Sequence, residues 1–205
     1  FNEPQNFSKA QNMPYGYVTR KQVFQPGGSL SKKLAKSRYS IIQVGSWLFV
    51  HGGITAKLAK EYSIDNVNKY IQDWLLGHDD IETKTHVNRI YHRNDDENSP
   101  FWSRTFSSDE EWNETSGAHH FNKTLDILNL KNNRNQNNLI KGMILGHSPQ
   151  FMYNKGLNSV CNNRLWRVDV GMSRAFGLSN NRSKEGVNRK VQVLVITNDS
   201  DFQIL

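Results

Sequence analysis

"WLFVHGGI", residues 47–54, is an apolar run that stops at a histidine and two glycines. Residues 40–44 are also rich in strand-forming residues, and Gly45 and Ser46 separate the two runs at the spacing of a tight β-hairpin. His51 is therefore predicted at the C-terminal end of a strand. Loops at strand ends commonly carry the binding groups of sheet-based proteins, so this histidine is a candidate functional residue.

The rest of the chain predicts helices between strands. Residues 63–77, "SIDNVNKYIQDWLLG", have apolar residues at helical spacing between a Ser63 N-cap and a Gly77 stop. Residues 119–130, "HHFNKTLDILNL", predict a second helix whose inward positions are Phe121, Leu125 and Leu128. Further strands are predicted within "LIKGMILG" (139–146), "RLWRVDVG" (164–171) and "VQVLVI" (191–196). This pattern favours a layered α/β or α+β fold.

Composition limits the classes of protein that this chain can be. Its 205 residues fit one domain, the mean hydropathy is −0.71, and no window approaches the roughly 18 apolar residues of a membrane span. Its single cysteine, Cys161, cannot form an internal disulfide. We therefore expect a soluble, intracellular protein without a membrane partner. The opening "FNEPQNFSKAQN" has no initiator Met and no signal pattern, which predicts an interior cut of a longer protein.

The formal net charge of +7 and a pI near 9.5 admit an anionic partner. The densest basic stretch, "SLSKKLAKSR" (29–38), predicts an amphipathic helix with Leu30 and Leu34 in one stripe and its lysines mostly solvated. A solvated helix face is favoured over a binding patch, so nucleic acid is the less favoured partner.

A second histidine ends a later predicted strand, in "GHSP" (146–149). One interpretation is an α/β-hydrolase, with an oxyanion turn at "HGG" and Ser148 as the nucleophile. It fails because Gln150 replaces the last glycine of the nucleophile motif, because Pro149 has no N–H to donate to an oxyanion, and because all seven histidines precede Ser148.

The other interpretation is a metal site with His51 and His147 as two ligands of one ion. Imidazole suits borderline divalent metals, and Gly52 and Gly53 leave room for backbone and phosphate to approach. A metal-bound phosphate also needs a fixed cation, and Arg104 in "SPFWSRTF" (99–106) offers a guanidinium fork.

Four motifs in this order, followed by "VQVLVI", carry a resemblance to a known family: "FVHGGI" (49–54), "SPFWSR" (99–104), "LGHSPQ" (145–150) and "LWRVDVGMSRAFG" (165–177). They resemble the C-terminal half of the calcineurin-like metallophosphoesterases, and most of all their Shewanella-like phosphoprotein phosphatase branch. The resemblance implies the C-terminal half of a four-layer α/β/β/α metallophosphatase sandwich with mixed sheets. Residues 1–205 are then predicted to be the C-terminal portion of one such domain.

The resemblance also implies a chemistry and its residues. His51 and His147 would be metal ligands, Arg104 would bind the substrate phosphate, and Gly52, Gly53 and Asp169 would support the site. The complete domain would hold two divalent ions (Mn, Fe or Zn) whose bridging hydroxide attacks a phosphorylated protein or a small phosphoester. The family's other metal motifs, GD-x-H-G, GD-x-x-D-R-G and GNHE, are absent from this sequence. We therefore expect residues 1–205 alone to be inactive.

Other candidates are weaker. Adjacent helical residues point about 100° apart, so His119 and His120 are predicted to start a helix and not to bind one metal ion together. His78 and His92 lie in acidic loops and are predicted at the surface. Asp169, within an apolar run, is expected to organise the loop of residues 172–176. The competing function is a non-catalytic basic pseudo-phosphatase or nucleic-acid-binding module.

Overall fold

The computed structural model describes residues 16–91, 99–109, 112–131, 138–173 and 189–205. The helices are α1 (Tyr17–Phe24), α2 (Ser29–Ser37), α3 (Ala56–Glu61), α4 (Ile64–Leu76), α5 (Ile81–Tyr91) and α6 (Glu114–Lys131), with a 3₁₀ turn at Gln150–Tyr153. The strands are β1 (Ile41–Val44), β2 (Trp47–Val50), β3 (Gly142–Leu145), β4 (Asn158–Val160), β5 (Leu165–Arg167), β6 (Leu194–Thr197) and β7 (Asp201–Ile204).

Strands β1 to β5 form one mixed sheet in the order β1-β2-β3-β5-β4. The central strands β2, β3 and β5 run parallel, whereas β1 and β4 are antiparallel edges. Strands β6 and β7 form a separate antiparallel hairpin. The predicted α/β class with a mixed sheet is confirmed, and the arrangement is consistent with the C-terminal half of a four-layer sandwich.

Side chains alternate across the central strands and so divide the interior into two cores. Leu48 and Val50 of β2 point to the face that the helices cover, where they join Leu145 and buried residues of α4 and α6 in the larger core. Trp47 and Trp166 point to the opposite face, in a smaller core against the β6–β7 hairpin. The sheet is thus sandwiched between helices and a hairpin.

The most regular sequence patterns predicted their elements well. β1 and β2 pair as the expected hairpin, with Gly45 in the left-handed turn position (φ 58°). Ser63 caps α4 by accepting a hydrogen bond from Asn66 N (3.2 Å), and Gly77 ends the helix at φ 99°. Phe121, Leu125 and Leu128 are the buried face of α6, as predicted.

Asn68 of α4 joins this helix to the edge strand β1. Its Oδ1 accepts hydrogen bonds from the backbone of Ser40 and Ile41 (both 3.0 Å), and its Nδ2 donates to Ile41 O (2.8 Å). These bonds satisfy buried backbone groups at the start of the strand and fix where the chain enters the sheet.

Three predictions were wrong in detail. In α2 the buried residues are Ser31 and Ala35, while Leu30 is 36% exposed; Ser31 Oγ donates to Phe24 O (2.7 Å), the last residue of α1. His119 and His120 lie within α6, which begins at Glu114. Strand β5 ends at Arg167, so Asp169 follows the strand. His92, the Asn-rich residues 132–137 and residues 174–176 lie outside the described residues.

Candidate functional site

His51 and His147 lie side by side at one edge of the sheet. Strands β2 and β3 are parallel neighbours with Val50 opposite Leu145, so the residues that follow them leave the sheet at the same edge. His147 Nδ1 is 3.0 Å from His51 Nε2, and the ring centroids are 4.9 Å apart. Gly146 N also donates to His51 O (2.9 Å) and locks the two strand ends together. The structure therefore brings the two predicted histidines together.

His147 has an unusual backbone and an aromatic neighbour. Its φ of 67° is in the left-handed region, which non-glycine residues seldom adopt and which is enriched at functional sites. The Trp102 ring stands edge-on to the His147 ring, with centroids 5.8 Å apart, and Trp102 Nε1 donates to Tyr91 O (3.1 Å). Trp102, in the segment after α5, thus limits the orientation of the His147 imidazole.

The two glycines after His51 have structural reasons of their own. A Cβ on Gly52 would lie 2.9 Å from Ser103 O and 3.1 Å from Pro100 O, and Gly52 N donates to Pro100 O (2.6 Å). Gly53 has φ 113°, a conformation that only glycine adopts without strain. The glycines therefore let residues 99–103 pack directly on the His51 turn. Room for a phosphate at this turn stays a prediction.

Arg104 lies on the segment that packs on this turn. Its backbone carbonyl accepts hydrogen bonds from Ser107 N (3.1 Å) and Ser108 N (2.9 Å), while its side chain is exposed. Ser103, the preceding residue, is the one whose backbone lies against Gly52. The structure thus places Arg104 next to the histidine turn with its guanidinium in solvent, and phosphate binding by Arg104 stays a prediction.

Arg167 is a fully buried residue beneath this segment that the sequence analysis missed. Its Nε donates to Phe106 O (2.8 Å), its Nη1 pairs with Asp109 Oδ1 (2.6 Å), and its guanidinium lies 5.2 Å from the centre of the Trp112 ring. Its Nη2 is buried without a hydrogen-bond partner among the described residues. A usable signal existed, because a charged residue within the apolar run "LWRV" requires a buried partner.

Asp109 is the counter-ion of two cations. Partial burial favours its neutral form, but hydrogen bonds and charge from Lys155 and Arg167 outweigh that effect and hold the pKa of Asp109 below its ordinary value. The carboxylate thus stays ionised and joins β5 to the segment that carries Arg104.

A buried polar network links the same segment to the turn after His147. Ser107 Oγ lies 2.7 Å from Ser148 Oγ, and Gln150 Nε2 donates to the carbonyls of Ser107 (2.9 Å) and Ser148 (2.8 Å). Asn158 Nδ2 completes it by donating to Gln150 Oε1 (2.9 Å). Ser148 and Gln150 therefore position loops, which agrees with the rejection of a serine nucleophile.

Asp169 organises the chain just after β5. Its Oδ1 accepts a hydrogen bond from Gly171 N (2.9 Å), and its carbonyl accepts one from Gln150 N (2.7 Å). The residue thus connects the end of β5 to the turn that follows His147. The expected effect on residues 172–176 falls largely outside the described residues.

The two histidines fit part of a metal site. An ion bonded to both nitrogens at about 2.1 Å each is compatible with their 3.0 Å separation. Within the described residues, no group of three or more His, Cys, Asp or Glu side chains could hold an ion.

The fold and site define an α/β protein with a paired-histidine site at the ends of two parallel strands. No family model matches the chain. Uncharacterized protein R398 of Acanthamoeba polyphaga mimivirus is 31% identical over 93% of this chain and 76% of its own length. Shewanella-like protein phosphatase 2 of Arabidopsis thaliana is 30% identical over 78% of this chain and 35% of its own length.

Solved structures of cold-active protein tyrosine phosphatase are also similar. That of a psychrophilic Shewanella species has a TM-score of 0.48 and 19% identity, covering 83% of this chain and 44% of that chain. Another, at 1.1 Å, has a TM-score of 0.49 and 18% identity, with 83% and 43% covered.

The chain belongs to the family of mimivirus protein R398 and is a homologue of Shewanella-like protein phosphatase. The resemblance that the sequence motifs predicted is thereby confirmed. The chain spans about a third of the length of the Arabidopsis protein and about three quarters of that of the mimivirus protein.

Proposed function

We propose that this chain is part of a phosphatase that hydrolyses phosphoesters, with phosphoproteins as its main substrates. The observation that carries the proposal is the 3.0 Å approach of His51 and His147 at the ends of parallel strands, in a homologue of Shewanella-like protein phosphatase. Two imidazole nitrogens this close can bind one cation, and imidazole is a common ligand of borderline divalent metals.

Each candidate site residue would have a separate role in this reaction. His51 and His147 would hold one of two divalent ions (Mn, Fe or Zn), which together supply an activated hydroxide and neutralise phosphate charge when bound. Arg104 would bind the substrate phosphate through its exposed guanidinium. Gly52 and Gly53 allow its segment to lie against the His51 turn, and Asp169 fixes the turn after His147.

We further infer that residues 1–205 are the C-terminal portion of one domain and that the site is completed by polypeptide outside them. Two observations support this: within the described residues the paired histidines gain no third ligand, and the sheet face opposite the helices exposes Ile42 (44%) and Val44 (57%). A solvated apolar strand face is what a missing layer would cover.

The test compares residues 1–205 with the protein extended by the polypeptide that its gene encodes before Phe1. With Mn²⁺ and a phosphopeptide, we expect phosphate release from the extended protein and none from residues 1–205. In the extended protein, His51→Ala and His147→Ala should each lower kcat at least about 100-fold and weaken Mn²⁺ binding measured by electron paramagnetic resonance. Arg104→Ala should mainly raise KM.

His119→Ala is the matched control, because His119 is an exposed histidine of α6, and it should leave kcat and Mn²⁺ binding unchanged. Turnover by residues 1–205 alone would disprove the incomplete-site inference. An extended protein that binds no Mn²⁺ and releases no phosphate would favour the competing function, a pseudo-phosphatase or nucleic-acid-binding module.

A further inference from the structure

One short segment of this protein carries several cations and no acidic residue. Residues 16–40 contain six Lys and Arg residues and no Asp or Glu, whereas the formal net charge of all 205 residues is +7. The remaining 180 residues contain both basic and acidic side chains, 20 Lys and Arg against 19 Asp and Glu. Because this segment has no acidic residue of its own, it concentrates a positive potential over α1 and α2.

The cations of this segment face solvent. In α2, Lys32, Lys33 and Lys36 fall within an arc of about 100° on the side away from the buried Ser31 and Ala35. The side chains of Arg20, Lys21 and Arg38 are also exposed. No ion pair among the described residues involves any of these six side chains, which we call the basic surface. The described residues therefore do not neutralise the charge of the basic surface.

The basic surface ends beside the paired histidines. The chain passes from α2 through Arg38, Tyr39 and Ser40 into β1, and Ile41 lies opposite Val50, the residue before His51. Asn68 holds Ser40 and Ile41 at this position. The residues that follow α2 therefore enter the sheet at the edge where the paired histidines lie.

We propose that the basic surface docks acidic residues that flank the phosphorylated residue of a protein substrate. This proposal rests on the proposed function, because it assumes that the phosphate itself goes to the paired histidines. Acidic side chains complement a face of free lysines, and exposed Phe24 and Tyr39 offer apolar contacts for a polypeptide beside them. The surface raises the encounter rate and local concentration of acidic substrates.

The test measures binding, so that it does not depend on turnover. The extended protein is titrated against a fluorescent, unphosphorylated peptide rich in Asp and Glu, and affinity is read by anisotropy at increasing NaCl. The triple variant Lys32→Gln/Lys33→Gln/Lys36→Gln should lose about tenfold in affinity and flatten the salt dependence. A peptide with Gln and Asn in place of the acids should bind neither protein measurably.

A matched variant separates local docking from net charge. Lys60→Gln/Lys123→Gln/Lys190→Gln removes the same charge from exposed lysines elsewhere and should change the affinity less than threefold. Equal losses in the two triple variants would overturn the proposal. So would tighter, Lys32-dependent binding of a single-stranded oligonucleotide, which would assign the surface to nucleic acid. Binding that persists while the extended protein fails to hydrolyse phosphopeptides would reject only the proposed function.

Discussion

At the scale of single residues, the buried guanidinium of Arg167 connects strand β5 to the segment that carries Arg104. Removing one member of a buried ion pair is costly because the other charge is left unpaired in a low-dielectric site. Asp109 forms ion pairs with both Arg167 and Lys155, and the side chain of Arg167 has no solvent exposure. The carboxylate of Asp109 therefore joins this segment to both Arg167 and Lys155.

We predict that Asp109→Ala lowers the free energy of unfolding by about 3 kcal/mol at neutral pH, measured by urea denaturation. Because the pKa of Asp109 is held low in the folded protein, its stabilisation is present above the ordinary aspartate pKa and is lost as pH falls through the folded value. The difference between wild type and variant should thus be constant from pH 6 to 8 and shrink below about pH 4.

The exposed Asp126 of α6 provides the control, since Asp126→Ala should stay within about 0.5 kcal/mol of wild type at every pH. A pH-independent loss in Asp109→Ala would show that the side chain contributes packing and not charge.

The sequence predicted that His51 and His147 follow strand ends, but it did not predict the ion pair between Arg167 and Asp109. Each histidine follows a short apolar run, and parallel strands deliver the residues after them to one edge, so a local pattern was enough. Asp109 and Arg167 are 58 positions apart in the sequence. Nothing local to either residue specifies the other, and only the assembled fold brings them together.

At the scale of elements, the helices and strands with a regular sequence pattern could be predicted, and the irregular segments could not. The β1–β2 hairpin and α4 have strong turn and cap residues, and their bounds agree closely with the predictions. Residues 99–109 have no regular period, and hydrogen bonds from Gly52, Arg167 and Gln150, all distant in sequence, fix their path. The placement of Arg104 beside the histidine turn therefore could not be derived from local pattern.

The contact between the Gly52 turn and residues 99–103 gives a prediction at this scale. In Gly52→Ala the new Cβ would meet the backbone of Ser103 and Pro100 at 2.9–3.1 Å, and backbone cannot move aside cheaply. We expect a loss of about 1–3 kcal/mol in urea unfolding and amide chemical-shift changes in residues 99–104, as this segment moves away from His51.

Gly146→Ala is a control in the neighbouring strand end. Its Cβ would lie 3.7 Å from His51 atoms, an ordinary contact distance, so stability and the shifts of residues 99–104 should change little. If both alanine variants behaved alike, close approach at Gly52 would not be what holds this segment in place.

At the scale of the whole molecule, the two faces of the sheet differ greatly in how they are covered. The helix side holds a large continuous core, whereas the opposite side buries Trp47, Ile144, Leu157, Trp166 and Val170 under the β6–β7 hairpin. Asp199 also attaches the hairpin to the sheet, because its carboxylate accepts a hydrogen bond from Ser46 N (2.8 Å) and forms an ion pair with Lys141 (3.6 Å).

None of the described helices is both long and apolar enough to cross a membrane.

This asymmetry predicts that the hairpin opens without unfolding the rest of the protein. Phe202 packs between Trp47 and Trp166, at centroid distances of 5.1 and 5.2 Å, so Phe202→Ala should cost the hairpin about 2 kcal/mol. Hydrogen exchange should accelerate at the amides of β6 and β7 while β2 and β3 keep their protection, and tryptophan emission should shift to the red. Gln203→Ala, an exposed position of the same strand, should change neither observable. Uniform acceleration across both sheets would instead show that the hairpin and the helix-covered core unfold as one cooperative unit.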